Sequence, residues 1–227
     1  VVAMLWGREA IAQEDFRSLD ADRPLKVTDA YPKKYLEWEF QFGLQGGWAE
    51  EGANALGGGF VLETGLFRNF EIGAGVQLAR ENDGASTTSR LESLQVQALY
   101  NFKHEGWTWP AVAVQAGADA PGGSDLSRED WGWGADLFLT RSFANLLRIH
   151  VNAGYAVASD VDGGDYWRGG VALDIPMGFS SRLIMGDLYA EIPVGTGQTR
   201  TWAELGTRIQ VSNLTVIDVG LATRLDE

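Results

Sequence analysis

The sequence predicts an all-β protein, an antiparallel up-and-down transmembrane β-barrel with eleven visible strands. Three observations carry that expectation. Bulky apolar side chains alternate with polar ones at period two over long stretches, as in "KYLEWEFQFGLQ" (34–45), and period two belongs to β-strands. No run approaches the roughly 18 apolar residues of a membrane-spanning helix. Glycine is 29 of 227 residues, about twice the usual share of ~7%, with aromatics at 11% and six prolines.

The strands follow in order. The first, 35–46, sets Leu36, Trp38, Phe40, Phe42 and Leu44 against Glu37, Glu39, Gln41 and Gln45. "GGWAEEGANA" leads to 55–66, where Phe60, Leu62 and Leu66 oppose Glu63. "FRN" turns into 70–81, with Phe70, Ile72, Val76 and Leu78 against Glu71. After "ENDGASTTS", 90–103 sets Leu94, Val96, Tyr100 and Phe102 against Arg90 and Glu92. "KHEGW" precedes 109–118, carrying Val112 and Val114, and "ADAPGGSDLSRED" precedes 131–142, with Trp131, Trp133, Leu137 and Leu139 against Asp136. "SFAN" leads to 147–158, where Ile149, Val151 and Tyr155 oppose Arg148 and His150. "SDVDGGD" opens onto 166–176, with Trp167, Val171, Leu173 and Ile175 against Arg168 and Asp174. "GFSS" precedes 182–193, where Ile184, Leu188 and Ile192 oppose Asp187 and Glu191. "VGTGQT" precedes 201–211, with Leu205 and Ile209 against Glu204 and Arg208. "SN" turns into 214–225, where Ile217, Val219 and Leu221 oppose Asp218 and Arg224.

Short and long links alternate along this series, as in a meander with turns at one rim and loops at the other. Strands of about nine to fourteen residues exceed the common length of 5–6 and match a tilted bilayer crossing. Side chains this bulky would overfill a small soluble barrel, so the apolar face is expected to meet lipid. There a charge near the midplane costs about 2–4 kcal/mol. The polar face is then expected to line the lumen with Glu37, Glu39, Glu63, Glu71, Arg90, Glu92, Asp136, His150, Arg168, Asp174, Asp187, Glu191, Glu204, Arg208, Asp218 and Arg224. Its acids are expected to pair with Arg168, Arg208 and Arg224, since buried carboxylates need partners. Tyr35, Trp48, Trp107, Trp109, Trp131 and Trp167 fall near strand ends, where aromatic girdles sit.

Several chemistries find no support. There is no cysteine, hence no disulfide framework or thiolate site. A net charge of −13 argues against nucleic acid. The two histidines, His104 and His150, stand without a Ser/His constellation, so no enzyme and no catalytic residue is expected. Acidic pairs in "GVQLARENDG" and "SDVDGGD" lack EF-hand spacing and read as solvated loops, with no metal and no cofactor.

Residues 1–33 read as an N-terminal segment and 34–227 as the barrel. "VVAMLWGREAIAQ" has the small-x-small ending of a secretory signal, or is a retained apolar stretch. Residues 13–33 would lie in the periplasm and could dock a periplasmic or outer-membrane protein partner.

"DRPLKVTDAYPKKYLEWEF" (22–40), "WPAVAVQAGADAPGGS" (109–124), "LRIHVNAGYAV" (147–157, with an inward Asn before Gly-Tyr), "VALDIPMG" and "MGDLYAEIPVG" resemble an outer-membrane, transporter-like family named after the meta-cleavage pathway of phenol degradation. The resemblance spans about residues 22–225 and implies an outer-membrane barrel with a transport role. The chain departs from such barrels in ending on "ATRLDE" rather than on an aromatic residue. Even strand numbers are the rule for single-chain bacterial barrels, so a twelfth strand is expected, from beyond residue 227 or from residues 1–33. Two functions fit: a narrow, cation-preferring transporter of small solutes in the bacterial outer membrane, or a non-conducting structural or partner-binding barrel with a filled lumen. A soluble ligand-binding barrel would require the apolar face to point inward.

Overall fold

The computed structural model describes residues 17–20, 24–48, 54–82, 87–121, 131–144, 146–157, 164–177, 181–195 and 197–226. The side chains of Trp48 and Arg90 and the stretch "VVAMLWGREAIAQ" lie outside the described residues, as do loop residues 83–86 and 158–163.

Among the described residues eleven strands form one sheet: β1 (Trp38–Trp48), β2 (Asn54–Phe67), β3 (Phe70–Asn82), β4 (Thr87–Lys103), β5 (Ala111–Pro121), β6 (Gly132–Phe143), β7 (Leu147–Val157), β8 (Tyr166–Pro176), β9 (Arg182–Pro193), β10 (Arg200–Ser212) and β11 (Thr215–Arg224). Their spatial order is their sequence order, and every neighbouring pair is antiparallel. The meander read from the sequence is therefore the topology. The sheet curls into a half-barrel, and among the described residues β1 and β11 make no contact. Both edges stay unpaired there.

β8 and β9 occupy the expected residues. β1 starts at Trp38 rather than 35 because Leu36 takes a left-handed φ of 62°, which breaks extension. Tyr35 instead makes a parallel bridge to Gly65. The strict alternation of short and long links is not kept. β1 runs on through Gly46, Gly47 and Trp48, and β4 begins already at Thr87, because a ladder is built from backbone groups and Thr suits it. The link 49–53 is thus shorter than 104–110. Tight turns remain at Arg68-Asn69 and Asn213-Leu214; Asn69 has φ 65°, a conformation asparagine tolerates better than most residues.

The sidedness is that of an inside-out protein. Phe40 and Phe42 are 69% and 71% exposed on the convex face, whereas Glu63 and Asp187 on the concave face are 4% and 6% exposed. Trp38, Val96, Trp167, Leu173, Leu188, Leu205 and Leu221 share the convex face and are exposed too. Charges of that parity, Arg80, Lys103, Arg141 and Arg182, are confined to strand ends.

What buries the concave face is the chain's own N-terminal segment. Two apolar clusters seat it: Leu19, Leu25 and Val27 against Ala172, Leu183, Met185 and Tyr189, and Ala30 against Leu99, Ala111, Ala113 and Phe138. Glycines make room. A Cβ on Gly65 would lie 2.0 Å from the Lys34 carbonyl oxygen, and one on Gly206 would lie 2.3 Å from the Pro24 ring. Side chains at either position would collide with the segment.

Candidate functional site

The segment passes from β10 across to β3 within residues 26–33, and a chain that crosses strands in this way cannot join the ladder. Its backbone must find partners elsewhere, and side chains of the wall supply them strand by strand. Lys26 N–H donates to Glu204 Oε2 of β10 (2.7 Å), and Val27 N–H to Asp187 Oδ2 of β9 (3.0 Å). Thr28 is held at both ends of Asn152 on β7: its N–H donates to Oδ1 (2.8 Å), and its carbonyl accepts from Nδ2 (3.0 Å). Ala30 N–H donates to Thr140 Oγ1 of β6 (3.0 Å), and its carbonyl accepts from Asn101 Nδ2 of β4 (2.6 Å). Lys33 N–H donates to Glu71 Oε2 of β3 (2.7 Å). Asp29 folds the segment on itself, accepting from Leu19 N–H (3.0 Å) and Tyr31 N–H (2.9 Å).

Two charge clusters sit at its ends. Asp20, Glu39 and Glu63 offer carboxylate oxygens within 4.8 Å of one another. The cation among them is Lys33, whose Nζ lies 3.1 Å from Asp20, contacts Glu39 and is 3.8 Å from Glu63. Arg208 joins from β10, 3.7 Å from Asp20, while forking onto Asp218 at 2.6 and 2.7 Å. In the second cluster Asp174, fully buried, accepts from Arg148 Nε (2.7 Å), Arg17 Nη2 (2.9 Å) and His150 Nε2 (2.8 Å). With Nε2 donating, His150 Nδ1 is left to accept the Thr140 hydroxyl proton (3.0 Å). A hydroxyl does stand beside His150, contrary to the sequence expectation, because the β6–β7 register pairs Thr140 with His150. Its oxygen is capped by Ala30 and it is fully buried.

The expected lumen residues thus divide. Glu39, Glu63, Glu71, Asp174, Asp187, Glu204 and Arg208 touch the segment. Asp136 and Arg168 pair with each other at 2.5 and 2.7 Å, and Glu191 faces Arg200 at 3.6 Å. Glu37 precedes β1 and accepts from Lys34 N–H in a turn, so it is not a wall residue. Arg224 sits at the rim with Asp226 (2.8 Å) and, together with the Thr201 N–H, holds that carboxyl down at about 2. Glu92 falls at the β3–β4 register shift between Gln77 and Leu78. The expected acid partners of Arg168, Arg208 and Arg224 are corrected to Asp136, Asp218 and Asp226. Each is a short-range neighbour: two on a nearby or adjacent strand, one two residues away. Asn101, Thr140, Arg17, Asp20, Asp29 and Lys33 were missed; the first two lie on the polar parity of their strands, which was their only signal.

A rim loop latches the segment. Glu105 accepts from Tyr31 Oη (2.9 Å), Ser142 N–H (2.6 Å) and Ser142 Oγ (2.9 Å). Arg141 meanwhile donates to the carbonyls of Gly106, Trp107 and Trp109. Burial would raise the Glu105 carboxyl, but the Ser142 and Tyr31 hydrogen bonds and Arg141 hold it below its ordinary value. A depressed carboxylate contributes stability that is present above its unfolded value and lost as pH falls through the folded one. Acidifying from about pH 5 downward should therefore loosen this loop, read as a change in Trp107 and Trp109 fluorescence. Glu105→Gln should abolish that transition; its persistence would assign the transition to another group.

No family model matches the chain, and no curated protein is similar to it in sequence.

Proposed function

We propose that the chain is a transmembrane β-barrel of a bacterial outer membrane, closed at rest because its own N-terminal segment fills the lumen. The supporting observation is the inverted sidedness: a continuous convex face of exposed Trp, Phe and Leu around a concave face of buried Glu, Asp and Arg. Water penalises an exposed apolar face of this extent, and lipid does not. Spanning sheets are tolerated in lipid only when closed, so β1 and β11 must join or admit a further strand. The likeness of five sequence stretches to the phenol meta-cleavage transporter family fits this reading and adds transport of a small solute once the segment is displaced. A narrow cation-preferring path is the form such transport would take, given the acid excess on the wall.

The test is purification with and without detergent. Monodispersity in detergent and aggregation without it are expected, and a monodisperse detergent-free monomer would defeat the proposal. Within the detergent- or lipid-folded protein, Val96→Arg and Leu173→Arg should each cost about 2–4 kcal/mol in a denaturant titration, and Gln97→Arg on the opposite face markedly less. Equal costs would contradict the assignment of faces.

A further inference from the structure

Between the segment and the rim that carries the links after β1, β3, β5, β7 and β9 lies a cavity of ≈ 310 Å³, with Lys26 and Thr28 in its floor. Five glutamines line the β1–β5 side: Gln41, Gln77, Gln95, Gln97 and Gln115. Tyr166 and Tyr189 line the other. Its charged groups are already engaged. Asp136 holds Arg168, Glu191 faces Arg200, and Glu63 accepts from Gln41 and Gln97. Lys26 lies over the rings of Tyr189 and Trp202 at 5.4 and 5.1 Å.

Amides supply what recognition remains. Gln41 is 7% exposed, and both protons of its Nε2 are spent on Glu39 (2.8 Å) and Glu63 (2.9 Å). Among the described residues its Oε1 has no hydrogen-bond partner and no surface open to the cavity, so Gln41 shapes the wall and leaves solute contacts to its neighbours. Phosphates and carboxylates bring no donor and would meet the acids of the wall. Ammonium groups find the carboxylates already paired. Hydroxyl groups can donate to the amide oxygens and accept from the amide N–H groups of Gln77, Gln95 and Gln115, and sugar-like faces can lie against tyrosine rings.

We propose that this cavity binds a small neutral solute rich in hydroxyl groups, of about mono- to disaccharide size given the usual lower bound of ligand pockets. The inference uses the segment only as the cavity floor, so binding can be measured in detergent whether or not the barrel conducts. The experiment is saturation-transfer NMR on the full chain in detergent with glucose, maltose, glucosamine and glucuronate as probes. Saturable binding of glucose or maltose is expected, weaker by roughly 2–10-fold in Gln77→Leu, the loss of one or two neutral hydrogen bonds. Gln95→Leu, which removes an amide of the wall without touching the Glu63 network, should weaken it similarly. Absence of saturable binding, tighter binding of glucosamine or glucuronate than of glucose, or affinity unchanged in both variants would each overturn the proposal.

Discussion

Deleting residues 17–33 should turn a silent barrel into a conducting one. In the intact chain six strands of the wall hold the segment's backbone by side-chain hydrogen bonds, and two apolar clusters fill the spaces between. Planar-bilayer recordings of the intact protein should therefore show little current. Once the segment is gone, Glu71, Asp187 and Glu204 lose their backbone donors and Glu63 loses Lys33, but water entering the lumen can solvate them. The freed wall carries more carboxylates than guanidiniums, so cations should pass in preference to anions. A covalent lock separates opening from misfolding. The chain has no cysteine, so Pro24→Cys, which removes the ring that a Gly206 side chain would strike, paired with Gly206→Cys gives the only disulfide within the chain. Oxidised, that variant should stay silent under conditions that open the parent. Equal conductance with and without residues 17–33, or anion selectivity after deletion, would refute the segment's role as the closure.

The meander was legible because period two is a local signal. Each strand advertises its own faces, and β8 and β9 could be bounded to the residue. Burial of the polar parity was legible for the same reason. The identity of what buries it was not. "SLDADRPLKVTDAYPK" carries no periodicity, since a chain that crosses strands instead of joining them has no ladder to match. Its partners are single residues on separate strands: Asn101, Thr140 and Asn152 look alike in sequence with any polar side chain facing a lumen. Charge pairing failed similarly. Opposite charges were matched by face alone, whereas geometry favours the nearest strand, and Arg208 takes Asp218 because the β10–β11 register sets the two side by side. Leu183, Met185 and Phe138 on the inner face also went unread. Apolar residues in a polar parity are noise to a periodicity argument, yet here they mark where the segment lies.

Asp174→Asn should cost about 3–5 kcal/mol of folding free energy, the usual penalty for stripping one partner from a buried ion cluster. Asp174 is the shared acceptor for two guanidiniums and an imidazole, and the side chain is completely withdrawn from solvent. Without its charge, Arg148 keeps only Asp29 at 3.7 Å and a contact with the Arg17 carbonyl, and Arg17 loses its anchor on β8. The penalty belongs to the stranded cations more than to the missing bonds, so removing one of them should return part of it. The double variant Asp174→Asn with Arg148→Met is thus expected to be more stable than Asp174→Asn alone, a non-additivity that contacting residues show and distant ones do not. Arg224→Ala, which breaks a rim pair in contact with water, should barely move the same titration. Denaturant titrations into detergent or lipid would read all three, together with Arg148→Met alone to close the cycle. If Asp174→Asn were no more costly than Arg224→Ala, or the double variant simply summed its two singles, the cluster would not be what fixes the N-terminal end of the segment to the wall.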